Sequence, residues 1–351
     1  MHAADRVKNV SLFSGLAPAE IDGILGISRY VAFAPGTHLM RQGQSADGVL
    51  ILESGSADVL TALPGGGELT LASVGAGTVL GEMALLDAGV RSATVIARTP
   101  VEGYWIDRDG FRMLLAQRNA AVFAVQGRVT LALCARLREL NAKIVARETP
   151  LREAWSPPAQ GQSAIRRGVC SFNYRAFLPI LPVFRGLDPE DVEEITAHAA
   201  VLDAPRGAVL VEQGAPSTAC YVVVRGAIEV ATLHAGGRYR IGILGPGRLC
   251  GHMGLIDGVT HSTTMVAREN TTLLEITKPA FDRLYHGCER INAKFRDAIN
   301  RNLLEALAHT NNHLTRLISQ ARIRAPGARK PGEIDDLERA LCTQDCDTLP
   351  A

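Results

Sequence analysis

Two residues of opposite charge, Glu82 and Arg91, lie nine positions apart in the stretch GEMALLDAGVRSATV. A glycine precedes the glutamate and good helix formers follow it, which predicts about one helical turn over 82–86. The first N–H groups of such a turn have no partner within the helix and suit a phosphate, and an arginine can contact two phosphate oxygens at once. A carboxylate accepts a hydrogen bond from a sugar hydroxyl. The stretch therefore predicts a site for a phosphate and a ribose held close together.

A second stretch, GHMGLIDGVTHSTTM, repeats this frame at residues 251–265, but its two charged positions differ. His252 stands where Glu82 stands, and His261 stands where Arg91 stands. A hydrogen bond to a charged group contributes about 1.5–3 kcal/mol, so losing the arginine weakens phosphate binding by about ten- to a hundredfold. The second site is expected to be empty, to take another ligand, or to be pH-sensitive, because a protonated imidazole can contact a phosphate and loses its charge near neutral pH.

The two stretches belong to a repeat that organises most of the chain. LFSGLAPAEIDGIL at 12–25 matches VFRGLDPEDVEEIT at 183–196, and the offset of 171 residues becomes 170 after the glycine-rich turns at Gly65 and Gly236. Each copy opens with a short helix and continues as short runs of Val, Leu and Ile separated by turns that contain glycine. Runs spaced in this way predict an antiparallel barrel or jelly roll.

A helix is predicted after each roll, because apolar residues recur there every three or four positions. The first such helix covers 111–147, and the second covers 280–324 and would be about 68 Å long if unbroken. A single small roll cannot cover an apolar face of that length, so the second helix predicts self-association. The alternative is a helix that bends back onto its own roll.

The predicted fold is mainly β with flanking helices, as two β-roll domains in series that each end in a long amphipathic helix. The predicted division is a first domain at 1–147, a linker at 148–172, a second domain at 173–325 and a flexible tail at 326–351.

Composition excludes several classes of protein. Among 351 residues, 37 basic and 36 acidic side chains leave a net charge of +1, which argues against a nucleic-acid or anionic-membrane partner. No run of about eighteen apolar residues is present, and the first ten residues lack the apolar core of a signal peptide, so a cytoplasmic protein is expected. Seven scattered cysteines favour reduced thiols.

No metal site is predicted. Cys342 and Cys346 have no matching pair, no carboxylate or cysteine cluster accompanies His252 and His261, and His309 with His313 fits a solvated helix face. No cofactor and no catalytic residue is predicted either, since neither roll has a nucleophile with its base.

The motif GEMALL, followed by DAGV and RSATV inside a β-roll with flanking helices, resembles the phosphate-binding cassette of the cyclic nucleotide-binding domain family. The resemblance covers roughly 12–145 and 183–320. It implies that Glu82 binds the ribose 2′-hydroxyl, that Arg91 pairs with the cyclic phosphate, and that Ser92 contacts phosphate or base. The remaining first-site candidates are Gly81 and the backbone amides around Met83, Ala84 and Ala93. The degenerate second-site candidates are Gly251, His252, Met253, Gly254, His261, Ser262 and Thr263.

The arrangement resembles a regulatory subunit of protein kinase A, because two such modules follow each other and only about 25 residues come after Arg324. The favoured hypothesis is a non-enzymatic sensor of cAMP, with cGMP as the other candidate, that controls a separate protein partner. The preference for cAMP rests on RSATV, which is compatible with cAMP-binding bacterial members. The alternative is an oligomeric scaffold whose rolls are mainly structural.

One short segment bears on the partner. Arg166-Arg167-Gly168-Val169-Cys170 resembles a kinase inhibitor sequence, but valine replaces the small residue and the segment lies between the domains. It is therefore interpreted as linker with two solvated arginines.

Overall fold

The computed structural model describes residues 3–62, 68–86, 89–148, 150, 165–168, 173–287 and 289–324. Most of the predicted linker, the predicted tail, Gly65 and the cysteines at 170, 288, 342 and 346 lie outside them. The described residues form two compact units, one of 3–132 with 318–324 and one of 133–317.

The first unit contains one β-roll flanked by helices. Its elements are α1 Ala3–Val7, α2 Pro18–Leu25, β1 Ser28–Phe33, β2 His38–Met40, β3 Gly48–Ser54, β4 Ser56–Ala62, β5 Glu68–Gly75, β6 Val79–Leu80, β7 Thr94–Ala97, β8 Val101–Asp107, α3 Arg108–Ala116 and α4 Ala120–Val145, which continues into the second unit. Two antiparallel sheets, in the orders β1-β8-β3-β6 and β2-β7-β4-β5, enclose the core. Leu50 and Leu52, two apart on β3, point to the same face and pack there with Val59, Val95 and Trp105.

The second unit contains the second roll. Its elements are β9 Arg166–Arg167, α5 Pro189–Thr196, β10 Ala199–Ala204, β11 Val209–Val211, β12 Ala219–Arg225, β13 Ile228–His234, β14 Gly237–Leu244, β15 Leu249–Cys250, α6 Met253–Asp257, β16 Thr264–Ala267, β17 Thr271–Thr277, α7 Lys278–His286 and α8 Arg290–Arg324, whose end from Ile318 belongs to the first unit. The sheet orders are β15-β12-β17-β10-β9 and β11-β16-β13-β14. The predicted pair of β-rolls with flanking helices is confirmed.

Short 3₁₀ helices complete the described secondary structure. They cover Ser11–Phe13 and Glu82–Leu85 in the first unit, and Tyr174–Ile180 and Pro182–Phe184 in the second.

Both predicted long helices are broken, and this corrects the sequence expectation. The first breaks between α3 and α4, where Arg118 has a φ of 60° and the Asn119 side chain accepts a hydrogen bond from the Val122 amide. The second breaks between α7 and α8, where the Asn292 side chain accepts from the Glu289 amide at 2.8 Å and donates to the Leu284 carbonyl. α8 still has 35 residues, or about 52 Å, and self-association through it stays a prediction.

One described helix, α4, is long and apolar enough to pass a length-and-composition test for a membrane span. Half of the 18-residue window that passes is buried inside the fold, and a core helix passes the same test. It is therefore weak evidence for a span.

The two arginines between the rolls belong to a strand, not to a structureless linker. β9 pairs antiparallel with β10, so that Arg167 lies opposite Leu202 and Arg166 opposite Asp203. Arg167 Nη2 donates to Glu275 Oε1 at 2.9 Å. Both arginines are exposed, as expected, but Arg167 has a buried partner.

Candidate functional site

The first cassette begins at a left-handed glycine. Gly81 has a φ of 77°, follows β6 and precedes the 3₁₀ turn at Glu82–Leu85, which corresponds to the predicted turn. A β-carbon at this position would lie 2.3 Å from Arg91 Nη1. Glycine is therefore required here both by the backbone conformation and by the guanidinium beside it.

Arg91 is a buried cation, and one of its nitrogens has no hydrogen-bond partner among the described residues. Its side chain is only 5% exposed, and Nη2 donates to Asp47 Oδ1 at 2.8 Å. The guanidinium carbon lies 5.7 Å from the centroid of the Trp105 ring, within cation–π range. Nη1 is buried and has no hydrogen-bond partner among the described residues. A buried N–H without a partner costs about 1–3 kcal/mol, so this nitrogen is suited to an incoming anion.

Backbone hydrogen bonds fix where Arg91 enters the site. The Gly43 amide donates to the Arg91 carbonyl at 2.9 Å, and the Arg91 amide donates to the Gln44 carbonyl at 2.8 Å. The Ala46 amide donates to the Gly89 carbonyl at 2.9 Å. These three hydrogen bonds lie just before β7, so Arg91 is held three residues before the first residue of that strand.

The other predicted first-site residues adjoin Gly81 and Arg91 along the chain, and one of them, Ala84, differs from the expectation. Glu82 and Met83 are half-buried in the turn, Ser92 is exposed, and Ala93 packs against the core of the roll. The Ala84 amide donates to the Gly81 carbonyl at 3.0 Å. Because that bond closes the turn, the Ala84 amide is not a free phosphate donor in this conformation.

Three residues of the site were missed by sequence reasoning. Asp47 is the ion-pair partner of Arg91, and Trp105 is the aromatic surface beside it. Arg29 lies over the same ring, with its guanidinium carbon 5.4 Å from the centroid. A tryptophan at the end of a strand, and an aspartate in the turn before β3, were the only signals available.

The second cassette reproduces the frame of the first. Gly251 has a φ of 80°, and the turn after it is α6. The Gly214 amide donates to the His261 carbonyl at 2.8 Å, and the His261 amide donates to the Ala215 carbonyl at 3.0 Å. These bonds match those of Arg91 in the first copy.

The two histidines of the second cassette are buried and neutral near pH 7. His252 is 5% exposed, and neither ring nitrogen has a hydrogen-bond partner among the described residues. Burial lowers the pKa of His252 to about 4. Burial, and then the charge of Arg138, lower the pKa of His261, whose Nδ1 lies 3.5 Å from Ser217 Oγ. Both shifts oppose the pH-sensitive alternative for the second site, in which an imidazolium loses its charge near neutral pH.

The remaining second-site candidates are held within the protein. A β-carbon on Gly254 would lie 1.9 Å from Ser217 Oγ, so the turn packs directly against that serine. Thr263 is buried, Met253 and Ser262 are half-buried, and the Ser262 carbonyl accepts from Thr232 Oγ1 at 3.4 Å.

The partners of the first-site arginine are replaced as well. In the strand register, Trp105 lies opposite Arg29 and Leu50, whereas its counterpart Glu275 lies opposite Ala200 and Tyr221. The repeat places Thr218 at the position of Asp47. The second roll thus has no guanidinium and no indole ring at the positions that correspond to Arg29, Arg91 and Trp105.

Comparison of the chain with models of known protein families identifies the family to which both cassettes belong. The model for the cyclic nucleotide-binding domain matches residues 30–118 and 201–287, which is half of the chain. The chain belongs to the cyclic nucleotide-binding domain family. The resemblance inferred from the cassette motif is therefore confirmed for both copies.

Three relatives in this family match over part of their length. The cyclic AMP receptor protein of Thermus thermophilus is 32% identical over 143 residues, which are 39% of this chain and 62% of that protein. The acetyltransferase Pat of Mycolicibacterium smegmatis is 35% identical over 115 residues, 33% of this chain and 34% of Pat. The cAMP-dependent protein kinase regulatory subunit of Aspergillus niger is 35% identical over 109 residues, 31% of this chain and 26% of that subunit. The chain thus spans about a quarter to three fifths of these relatives.

In this member of the family, the second cassette contacts α4. Arg138 donates from Nε and Nη2 to the two carboxylate oxygens of Asp257, at 2.9 and 3.1 Å, and from Nη1 to the Thr260 carbonyl at 3.2 Å. Such a bidentate contact fixes the orientation of both groups.

Potential metal ligands do not cluster in the part of the chain that the structure describes. No group of three or more His, Cys, Asp or Glu side chains there is placed to hold a metal ion. The described cysteines, Cys134, Cys220 and Cys250, are buried free thiols.

Proposed function

We propose that the protein is a cyclic nucleotide-sensing regulatory protein that binds one cAMP per chain, at the first cassette. The observation that carries this proposal is the buried, unpartnered Nη1 of Arg91 beside the left-handed Gly81. A guanidinium in that position supplies a directed N–H to a phosphate oxygen, while Asp47 and Trp105 hold the rest of the group.

Glu82 is the residue proposed to contact the ribose. It is the first residue of the turn after Gly81, and a carboxylate there accepts a hydrogen bond from a 2′-hydroxyl. cAMP is preferred over cGMP because two of the three relatives are named for cAMP. A hydroxyl after the arginine, that of Ser92, also suits guanine, so cGMP is the second nucleotide to test.

The second cassette is proposed not to bind a cyclic nucleotide. At both ligand-holding positions it has an imidazole that stays neutral near pH 7, and a neutral imidazole offers a phosphate no charge. Its frame is kept for packing and for the contact with Arg138.

Regulation requires that the nucleotide bind one arrangement of the protein better than another. α3 and α4 follow the first roll directly, so they are the elements proposed to shift and to control a separate protein partner. The proposal includes no catalytic step of its own. A pull-down with and without cAMP tests for the partner.

The scaffold alternative is less favoured. A roll used only for packing gains nothing from an arginine whose buried Nη1 lacks an acceptor, because that arrangement costs stability.

Titration calorimetry of the full chain with cAMP and with cGMP tests the proposal. Wild type is expected to bind one cAMP, and Arg91→Ala to bind it about ten- to a hundredfold more weakly. Arg98→Ala removes an exposed arginine just after β7 and is expected to leave affinity unchanged. Undetectable heat in both wild type and Arg91→Ala would sink the sensor proposal. Two nucleotides per wild-type chain would contradict the single site.

A further inference from the structure

A cleft in the second unit shares no residue with either cassette. It has a volume of about 240 Å³ and is lined by β14, by α8 and by Glu148, just beyond the end of α4. Arg240, His309, His313 and Arg316 contribute basic or imidazole groups to it. Four such groups against one carboxylate make the cleft a candidate anion site.

The two arginines of the cleft have unused hydrogen-bonding capacity. Within the described ranges, the side chains of Arg240 and Arg316 form neither an ion pair nor a hydrogen bond, and both are exposed. The carboxylate is occupied instead, since Glu148 Oε1 lies 2.8 Å from His313 Nε2. An anion entering the cleft therefore meets two unpaired guanidinium groups and a carboxylate that already has a partner.

On the β14 side of the cleft, Gly242 has no side chain to fill the space. A β-carbon on Gly242 would lie 4.0 Å from Nε2 of His309, so the imidazole lies above this point of β14. A longer side chain at residue 242 would fill the space beneath the ring.

The basic cluster occurs in only one copy of the repeat. At the offset of 170 residues, the first copy has no arginine and no histidine at the corresponding positions. Those positions are Thr70, Glu139, Lys143 and Ala146, in place of Arg240, His309, His313 and Arg316. The cluster is therefore not something that a β-roll and its helix need in order to pack.

We infer that this cleft binds a small phosphate monoester, with Arg240 and Arg316 contacting the phosphoryl oxygens. Guanidinium groups match the geometry of phosphate oxygens, and an imidazole such as His309 adds a donor. The volume is below the roughly 300–1,000 Å³ of sites for drug-sized ligands, so the ligand is small. Glu148 adds an acceptor for a hydroxyl on the organic part.

Titration of the full chain with inorganic phosphate and with glycerol phosphate, at constant ionic strength, tests this site. Arg240→Gln and Arg316→Gln are each expected to weaken binding about tenfold. Gly242→Leu is expected to block binding while keeping every charge. Arg206→Gln removes an exposed arginine elsewhere in the second unit and is expected to have no effect. Unchanged thermal unfolding of the two arginine variants confirms that they fold.

The first cassette also offers an arginine, so the titration is repeated with Arg91→Ala. Affinity that survives Arg91→Ala and falls with Arg240→Gln supports the cleft, whether or not the first cassette binds cAMP. Affinity lost with Arg91→Ala but kept in Arg240→Gln and Arg316→Gln would assign the phosphate to the first cassette and overturn the inference. An equal loss in Arg206→Gln would show a general charge effect and would also overturn it.

Discussion

The two cassettes share a backbone and differ at both charged positions that could hold a ligand, since His252 and His261 replace Glu82 and Arg91. Gly81 and Gly251 are both left-handed, with φ of 77° and 80°, and a short turn follows each. The strand that leaves each turn is held by the same pair of backbone hydrogen bonds, at Arg91 and at His261. The frame is therefore maintained by hydrogen bonds that do not depend on the side chains it presents.

The side chains that surround the ligand-holding positions also differ between the two cassettes. The first cassette surrounds a buried cation with a carboxylate and an indole ring, whereas the second buries two neutral imidazoles. A buried cation left without its partners is costly, and the second cassette has neither the arginine nor the carboxylate and indole that accompany it in the first. The second cassette instead contacts an arginine of α4 through Asp257 and Thr260. The same backbone conformation in two copies of the cassette thus does not by itself predict the same ligand.

The largest expected effect comes from matched glycine substitutions, Gly81→Ala and Gly251→Ala. Both place an L-residue at a positive φ, which costs about 1–2 kcal/mol of stability in each. Only at Gly81 does the new β-carbon meet the ligand-binding group, 2.3 Å from Arg91 Nη1; at Gly251 the nearest atom is the Ala219 carbonyl oxygen, at 3.1 Å. We expect cAMP affinity to fall about a hundredfold in Gly81→Ala, the upper end of the loss expected for Arg91→Ala, and to stay unchanged in Gly251→Ala.

Calorimetry with cAMP, together with urea unfolding of both variants, checks this pair. Similar losses of affinity in the two would mean that the second cassette participates in binding and would remove the distinction between them.

The turn and the arginine of the first cassette could be predicted from the sequence because both are local features. Gly81, Glu82 and Arg91 lie within one short stretch, and glycine before a run of helix formers is informative without any tertiary contact. Asp47 is 44 positions from Arg91, and only the pairing of β3 with β8 brings its neighbourhood to Trp105. Such pairings depend on the register of whole strands, which the residues next to Asp47 and Arg91 do not reveal.

The helix breaks and the strand at β9 were missed for related reasons. The apolar spacing continues across both breaks, which are set by a positive φ at Arg118 and by the side-chain hydrogen bonds of Asn292. The partner of Arg167 is 108 positions away, and nothing near the arginine identifies it.

The second largest effect concerns acid stability, to which His252 contributes. Its pKa is about 4 in the folded protein and about 6.5 in an unfolded chain. Between those values the unfolded chain takes up a proton and the folded protein does not. The free energy of unfolding should therefore fall by about 3 kcal/mol as pH drops from 6.5 toward 4, with no contribution from His252 above that window.

Urea unfolding at about pH 7.5 and pH 4.5 measures this contribution. We expect His252→Leu to lose most of the acid dependence that wild type shows, and His198→Leu, which replaces an exposed histidine, to retain it. The same acid dependence in wild type and His252→Leu would contradict a buried, neutral imidazole in the second cassette.

The smallest expected effect separates the two adjacent arginines of β9. Glu275 occupies the position of Trp105, and an arginine contacts each of them. Trp105 is contacted by Arg29 of the neighbouring strand β1, whereas Glu275 is contacted by Arg167 of β9, which lies beyond β10 in the same sheet. Burial raises the pKa of Glu275, and Arg167 opposes that rise. A carboxyl with a raised folded pKa reduces stability as pH rises above its unfolded value, so removing the arginine enlarges the deficit at neutral pH.

We therefore expect Arg167→Gln to lower the free energy of unfolding by about 1 kcal/mol at pH 7.5, a modest value because the arginine is largely exposed. The loss should disappear below about pH 4.5, where Glu275 is protonated in both states. Arg166→Gln is the matched control, since Arg166 is exposed and has no ion pair among the residues that the structure describes. If both substitutions had the same effect at pH 7.5, Arg167 would be a solvated linker residue after all. If only Arg167→Gln destabilised the protein, and only above pH 4.5, the segment between the rolls would be part of the second roll, held by the residue that replaces Trp105.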